Sequence, residues 1–247
     1  MSESSFVFGI HAVQALLSSQ PQRIIRLAIL QERHDQKMQA IIELVTEHPI
    51  PVAFVARSEL DQMTHQANHQ GIVAFCREAK RFTEADLVTL LDNLTGPALL
   101  LVLDGIQDPH NLGACLRSAD AAGVHAVIIP KDKSVGLTPT VAKVASGAAE
   151  TVPFIQVTNL ARTLRMLQER NIWVFGAAIP AEKTLYQADL RGSVALVLGA
   201  EGTGLRRLTR EHCDALLTIP MQGSVSSLNV SVAAGIFLFE AMRQRLS

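Results

Sequence analysis

Residues 216–239 read LLTIPMQGSVSSLNVSVAAGIFLF and contain no Asp, Glu, Lys, Arg or His, so this segment must be buried. A membrane span is excluded because Pro220 and the polar residues after it would leave backbone groups without partners in lipid. The pattern instead predicts a buried strand at 216–219, a loop at 220–227 and then a helix with Ser227 as its N-cap.

The predicted loop is rich in glycine and serine, which leave backbone N–H and C=O groups accessible. A flat heterocycle is the kind of ligand that fits against such a loop. On these residues alone, an interpretation in which Ser227 and Asn229 only cap and solvate the helix start is favoured. The rest of the chain has to decide between the two interpretations.

The 247 residues are 48% hydrophobic and 18% charged, a composition that can bury a sizeable core. The three cysteines are far apart and form no CxxC pair, so neither a disulfide framework nor a zinc site is indicated. The N-terminus has no signal-peptide pattern, and we expect a cytoplasmic protein.

The net charge of −1 argues against the broad basic surface that is typical of nucleic-acid-binding proteins. We expect neither a membrane nor DNA as a partner. Two small basic clusters are most simply interpreted as solvated surface. They comprise Arg77, Lys80 and Arg81, and Arg206, Arg207 and Arg210.

The N-terminal part of the chain predicts a small α/β unit. Helices are expected at 9–17, at 35–46 and around Leu60, and strands at 24–30, 52–55 and 71–75. A polar, charged stretch follows and ends at Gly96-Pro97. The expected domains are therefore 1–76 and 97–247, joined by a linker at 77–96.

Continuous apolar runs alternate with helical segments in the second domain. They predict strands at 99–103, 126–129, 153–157, 172–177, 194–198 and 216–219. Continuous rather than alternating apolar strands indicate a mostly parallel sheet covered on both faces by helices. Ligands bind such sheets at the carboxyl ends of the strands, which selects the loops at 104–111, 199–204 and 220–227.

The first of these loops turns through Asp108-Pro109 and enters a helix. Asn111 is either the N-cap of that helix or a group that faces a ligand, and Arg117 is either a surface cation or a second such group. The two residues are less than two helical turns apart, so both side chains can face one cleft.

The second loop, VLGAEGTGL at 197–205, has its glycines in the wrong order for a dinucleotide-binding fingerprint, which disfavours an oxidoreductase. Its only charged residue, Glu201, is expected to pair with an arginine. The chain has no GxxxxGK[ST], GxSxG or HExxH motif. His65 and His69 are interpreted as surface histidines rather than metal ligands.

The first loop reads DGIQDPHNLGA with RSA at 117–119, the second reads LGAEGTGL, and the third runs from IPM at 219–221 to SLNVS at 227–231. Taken together, these segments resemble the three signature motifs of the SpoU family of RNA ribose methyltransferases, in the SPOUT superfamily. The N-terminal segments FGIHAVQALL and HQGI resemble the substrate-binding domain of several members, so the resemblance covers essentially the whole chain.

The resemblance implies a small α/β RNA-binding domain, related to a ribosomal-protein fold, followed by a SPOUT domain with a mostly parallel sheet and a deep trefoil knot. It also implies methylation of a ribose 2′-hydroxyl with S-adenosylmethionine. It is greatest to members that modify a guanosine in the peptidyl-transferase loop of 23S rRNA. The expected partners are 23S rRNA or a ribosome assembly intermediate and a second copy of the chain, and no metal is expected.

The same resemblance assigns site residues. Those expected to contact the methyl donor are Gly199, Ile219, Met221 and Leu228, and the expected catalytic residues are Arg117, Asn111, Glu201, Ser227 and Asn229. Arg117 has two alternative roles. It is either the base that deprotonates the hydroxyl or, because guanidinium normally stays protonated, a cation that binds phosphate and stabilises the developing alkoxide.

Two other functions stay open alongside this one. A tRNA ribose methyltransferase would share the three motifs and differ in the substrate-binding region. A non-catalytic RNA-binding module that keeps the fold is a different class of protein, and the intact set of site residues argues against it.

Overall fold

A computed structural model of the chain describes residues 5–31, 33, 35–77 and 82–246. The chain divides into two compact units, of which the first is Met1–Lys80 with Ser146–Thr151 and the second is Arg81–Ala145 with Val152–Ser247. The expected domain limits and linker stay a prediction. Lys80 and Arg81, two of the basic residues in that linker, lie outside the described residues.

The first unit contains a four-stranded sheet. Its elements are β1 (Ser5–Phe8), α1 (Ile10–Ser19), β2 (Ile24–Leu30), α2 (Gln36–Thr46), β3 (Val52–Val55), α3 (Arg57–Met63) and β4 (Ile72–Cys76). The strand order is β1-β4-β2-β3, in which β4 is antiparallel to both of its neighbours and β3 is parallel to β2.

The helices of the first unit cover the two faces of its sheet unequally. Apolar residues of α1 and α2 pack with Leu27, Ile29 and Ala74 on one face. On the other face α3 contributes Leu60 to a smaller cluster with Ala28 and Val73. The alternation of side chains along each strand therefore supplies two apolar layers, and the second layer is only partly covered.

The second unit contains a seven-stranded sheet. Its elements are α4 (Glu84–Asp92), β5 (Leu99–Asp104), α5 (Pro109–Ala121), β6 (Ala126–Pro130), α6 (Pro139–Ala145), β7 (Phe154–Val157), α8 (Leu160–Gln168), β8 (Trp173–Ala177), β9 (Lys183–Thr184), β10 (Val194–Gly199), α9 (Arg207–Glu211), β11 (Ala215–Thr218) and α10 (Val230–Leu246). The short α7 (Ala148–Thr151), between α6 and β7, belongs to the first unit.

The strands of this sheet lie in the order β7-β6-β5-β10-β8-β11-β9, and the pairings between neighbours are parallel. Strands β5 and β6 are buried along their whole length, as expected for central strands covered on both faces. The prediction of an α/β fold with a mostly parallel sheet is confirmed. The trefoil knot stays a prediction, because strand order alone does not decide it.

Two helix starts differ from the sequence-based prediction. Helix α10 begins at Val230, and Asn229 rather than Ser227 caps it, because Asn229 Oδ1 accepts the backbone N–H of Ser231 at 2.9 Å. Helix α5 is capped by Asp108 rather than by Asn111, since Asp108 Oδ1 accepts the N–H of His110 at 2.9 Å. Both Ser227 and Asn111 are thereby free of a capping role.

The three cysteines are reduced and form no disulfide in the described structure. Burial raises the pKa of Cys76 to about 11 and the pKa of Cys115 and of Cys213 to about 12. Within residues 5–31, 33, 35–77 and 82–246, no helix has both the length and the apolar content needed to cross a membrane.

Candidate active site

Three loops leave the second sheet at the carboxyl ends of β5, β10 and β11. Because the strands are parallel, these ends lie along one edge of the sheet. Strands β5 and β10 are direct neighbours, and their pairing places Gly199 beside Asp104. The three loops line two clefts at this edge.

The larger cleft has a volume of about 830 Å³. All four residues expected to contact the methyl donor line it: Gly199, Ile219, Met221 and Leu228. Apolar side chains of β10 and α10, including Leu198 and Phe237, also contribute to its wall. A cleft that combines apolar side chains with slim backbone segments suits a flat ring with a few polar groups.

Position 199 requires glycine because the backbone at residues 204–205 lies very close to it. A Cβ atom at this position would lie 2.1 Å from the carbonyl carbon of Gly204 and 2.4 Å from the backbone nitrogen of Leu205. The loop after β10 folds back tightly, since the N–H of Gly204 donates to the carbonyl of Ala200 at 2.9 Å. Only glycine fits at position 199, and its backbone is thereby presented to the cleft.

Three of the predicted catalytic residues form one hydrogen-bonded cluster. The Asn229 amide donates to Asn111 Oδ1 at 2.9 Å and to Glu201 Oε1 at 2.5 Å. The Asn111 amide donates to the same Glu201 oxygen at 3.3 Å, as does the backbone N–H of Val230. The structure thus joins one residue from each of the three loops through a single carboxylate oxygen.

The other two predicted catalytic residues lie outside this cluster. Ser227 lines the larger cleft next to Leu228 and is exposed. Arg117 is exposed on α5 and lines neither cleft. Among the described residues Arg117 makes no hydrogen bond or ion pair, so its guanidinium is available to a ligand or a partner. The expected pairing of Glu201 with an arginine is not found among the described residues, where two amides and a backbone N–H bind its Oε1 instead.

The smaller cleft, of about 540 Å³, lies on the β5 side. It is lined by Asn111 and Glu201 and also by Asp104, Lys133 and Arg206, three residues that were not predicted as site residues. Asp104 is buried, and its carboxylate accepts the backbone N–H of Arg206 at 2.9 Å and Arg206 Nε at 2.5 Å. A buried carboxylate at a strand end is a usable signal, but the sequence alone does not identify its partner.

The other arginines of the second basic cluster also have partners. Arg207 forms an exposed ion pair with Glu211 at 2.6 Å, one helical turn away. Arg210 Nη2 donates to the carbonyl of Pro180 at 3.3 Å. Each of the three arginines in this cluster therefore has a partner within the chain. A role of the cluster in RNA binding stays a prediction.

The interpretation of His69 as a surface histidine is wrong. His69 is buried in the first unit, its Nδ1 accepts the N–H of Gly71 at 3.0 Å, and its Nε2 lies 3.0 Å from Asp61 Oδ1. These contacts assign the proton to Nε2 and give the residue a structural role. In the described part of the chain, no group of three or more His, Cys, Asp or Glu side chains is placed to hold a metal ion.

Two protein-family models match the chain, one in its N-terminal part and one in its C-terminal part. The SpoU rRNA Methylase family model matches residues 98–239. A second model, described as RNA 2′-O ribose methyltransferase substrate binding, matches residues 6–82.

Relatives and solved structures resemble the chain along its whole length. A Pectobacterium atrosepticum protein named 23S rRNA (guanosine-2′-O-)-methyltransferase RlmB is 59% identical over 242 residues, 98% of this chain and 99% of that protein. A crystal structure described as RNA 2′-O ribose methyltransferase is 28% identical, with a TM-score of 0.78 over 100% of this chain and 90% of that one. The SpoU methyltransferase AviRb from Streptomyces viridochromogenes, in complex with AdoMet, has the same fold, with 23% identity and a TM-score of 0.77 over 99% of this chain and 91% of that one.

Proposed function

Because the chain belongs to the SpoU rRNA methylase family, we propose that it methylates the ribose 2′-hydroxyl of a guanosine in 23S rRNA, with S-adenosylmethionine as methyl donor. One observation carries the proposal. A relative named for this reaction is 59% identical over 98% of the chain, a span that includes the substrate-binding region as well as the catalytic one.

The larger cleft fits the donor. Its slim segment at Gly199 leaves backbone groups open to an adenine ring, while Ile219, Met221 and Leu228 supply apolar contact. Bound S-adenosylmethionine supplies an electrophilic methyl group on its sulfonium. The role of the chain is to hold donor and acceptor in line, and such positioning within about 3–3.5 Å provides much of the acceleration.

The cluster of Asn111, Glu201 and Asn229 is proposed to orient the acceptor. Glu201 binds groups from two other loops through one oxygen, so the relative positions of the three loops depend on it. Ser227 lies on the wall of the larger cleft, within the same loop as Leu228. Side chains held by such mutual hydrogen bonds need little reorganisation when charge develops in the transition state.

Arg117 is proposed to act as a cation. Its guanidinium is exposed on α5, where an incoming phosphate can reach it. The base role requires a neutral guanidine group, whereas the arginine side chain normally stays protonated in proteins. A guanidinium that binds phosphate and stabilises the alkoxide needs no such change.

The peptidyl-transferase loop is the proposed location of the target guanosine, in naked rRNA or in an assembly intermediate, and the cytoplasm is the proposed compartment. A homodimer formed through the second unit is part of the proposal. Val232, Phe239 and Leu246 are exposed apolar residues of α10 at heptad spacing, which supports an intermolecular contact along that helix. Sedimentation velocity at micromolar concentration should give a dimer, and a monomer alone would contradict this assembly.

The decisive experiment measures transfer of labelled methyl from S-adenosylmethionine to two unmodified substrates. These are a 23S rRNA fragment with the peptidyl-transferase loop and a set of tRNAs, with Arg117→Ala as the control. Label on the rRNA ribose, lost in the variant, is the expected result. Label on tRNA alone would establish the alternative substrate, and donor binding without transfer to rRNA, tRNA or assembly intermediates would favour the non-catalytic module.

A further inference from the structure

Three side chains form a row across the sheet of the first unit. The register pairs Phe6 of β1 with Phe75 of β4, and Phe75 with Arg26 of β2. Residues opposite one another on adjacent strands share a face, so the three side chains lie side by side. The next row on this face contains Val73 and Ala28, which form a buried cluster with Leu60 of α3 and with Phe75 itself. Phe6 and Arg26, on either side of Phe75, are exposed.

The contacts within the row are specific. The rings of Phe6 and Phe75 meet edge to face, with centroids 5.5 Å apart and planes at 90°. The guanidinium carbon of Arg26 lies 3.5 Å from the centroid of the Phe75 ring. Phe75 is only 9% exposed and supports the other two, while Phe6 is 45% exposed and Arg26 is also exposed. A ring and a planar cation are thus held open to solvent.

The strands that carry this row contribute positive charge only. Arg26 is the only charged residue in β1, β2 and β4. Within the described part of the chain it forms no ion pair, in contrast to Arg23, which pairs with Glu150 at 2.7 Å. An exposed aromatic ring beside an unpaired guanidinium is complementary to a nucleotide, because the base stacks on either plane and the phosphate pairs with the cation.

We propose that Phe6 and Arg26, supported by Phe75, form a stacking platform for an unpaired base of the RNA substrate. The proposal rests on the proposed function, since a region that includes all three residues matches a substrate-binding family model. Beyond that function, the proposal specifies the face of the first unit that contacts RNA and the kind of RNA that this face selects. Duplex RNA buries its bases within the helix, so the platform favours single-stranded segments.

The test uses the full-length protein and two RNA probes, a single-stranded ten-residue oligouridine and a blunt duplex of equal length, with fluorescence anisotropy as readout. Phe6→Ala should weaken oligouridine binding roughly tenfold, the loss typical of one stacked base. Arg26→Gln should weaken it and reduce the dependence of log K on log salt by about 0.7, the value for one phosphate contact with a single strand. The matched control is Phe54→Ala, which removes a phenylalanine that is 57% exposed on β3.

A second readout separates recognition from folding. With the 23S rRNA fragment as substrate, Phe6→Ala should raise KM for RNA and leave kcat and donor affinity unchanged. Phe6→Leu keeps an apolar side chain and loses the ring, so it serves if the alanine variant unfolds at a lower temperature. Restored affinity in Phe6→Trp would confirm stacking.

Each other outcome is decisive. Unchanged affinity and KM in folded Phe6→Ala and Arg26→Gln variants would overturn the platform, as would an equal loss for the duplex or a wild-type protein that binds neither probe. If the wild type methylates no rRNA but binds oligouridine through Phe6, the proposed function fails while the platform stands. If methylation proceeds and Phe6→Ala behaves like the Phe54→Ala control, only the platform fails.

Discussion

The carboxylate of Asp104, at the end of β5, is paired with the guanidinium of Arg206, which lies 102 residues later in the loop after β10. The carboxylate is buried, while the arginine side chain is 41% exposed. This ion pair links two of the three site loops, and both of its residues line the smaller cleft.

Removal of the Asp104–Arg206 ion pair should destabilise the protein. Because Arg206→Ala leaves a buried carboxylate without its cation, and the backbone N–H of residue 206 and solvent compensate in part, we expect the free energy of unfolding to fall by about 1–3 kcal/mol. Urea denaturation measures the change. The neighbouring Arg207→Ala removes only an exposed ion pair and should cost less than about 0.5 kcal/mol. Equal effects in the two variants would contradict the structural importance of the Asp104 pair.

Gly199→Ala should damage the larger cleft directly. The added methyl group meets backbone atoms of Gly204 and Leu205, which cannot move aside like the end of a flexible side chain. We expect a loss of about 1–3 kcal/mol in stability and a clear loss of donor affinity, measured by thermal unfolding and by calorimetric titration with S-adenosylmethionine. Gly223→Ala is the control, since a Cβ there meets nothing within 4 Å. Wild-type donor affinity in Gly199→Ala would argue against this cleft as the donor site.

Asn229 has two separable roles. Its Oδ1 caps α10, and its Nδ2 binds Asn111 and Glu201. Asn229→Ser retains a capping oxygen and loses the amide donor, so it should lower kcat with little change in stability. Asn229→Ala loses both and should in addition cost about 1 kcal/mol of stability. Similar kcat values for Asn229→Ser and the wild type would show that the amide donor is dispensable.

Arg117→Lys tests the proposed cationic role. Lysine keeps the positive charge but not the planar fork, so we expect the rate to fall by about ten- to a hundredfold while the pH–rate profile keeps its shape. The measurement compares kcat of the two proteins between about pH 6 and pH 10, a range that lies below the ordinary pKa of a lysine side chain. A limb of the profile that moves to lower pH in Arg117→Lys would instead support the base role.

Glu240 makes stability depend on pH at the acid end. Hydrogen bonds from Arg243, and from Gln244, hold the pKa of its carboxyl down at about 2, below the ordinary value of 4.5. Since the folded-state pKa is the lower one, the stabilisation is present above pH 4.5 and is lost as the pH falls from 4.5 toward about 2. Glu240→Gln should therefore flatten the fall in unfolding free energy over this interval in urea titrations. An unchanged slope would exclude this carboxyl as a contributor.

The helices and strands that could be predicted from sequence are those with an apolar run long enough to show a periodic pattern. Strands at 24–30 and 52–55 were predictable to the residue, because both segments are rich in apolar and β-branched residues and begin after Arg23 and Pro51. Strand β9 has two residues, too few to carry a pattern, and β1 lies in a short run before Gly9.

In the candidate site, likewise, features set by neighbouring residues were predictable and contacts between distant segments were not. The rule that ligands bind at the carboxyl ends of parallel strands identified the three loops, and spacing predicted that Asn111 and Arg117 can face one cleft. Spacing did not show that Asn229 and Glu201 would bind Asn111, nor that Arg206 would bind Asp104, because these contacts join residues from different strand ends. Likewise, Ser146–Thr151 belongs to the first unit although it lies in sequence within the second, an arrangement that composition does not reveal.

The two clefts share a wall made by Ala200, Glu201, Thr203, Gly204 and Val230. A ligand in either cleft therefore touches the segment that shapes the other. If the first ligand orders that segment, the second ligand binds without the same entropic cost. If the donor tightens the binding of RNA in this way, thermodynamic reciprocity requires RNA to tighten the binding of the donor by the same factor, so the two reactants would assemble cooperatively without any movement of the sheet.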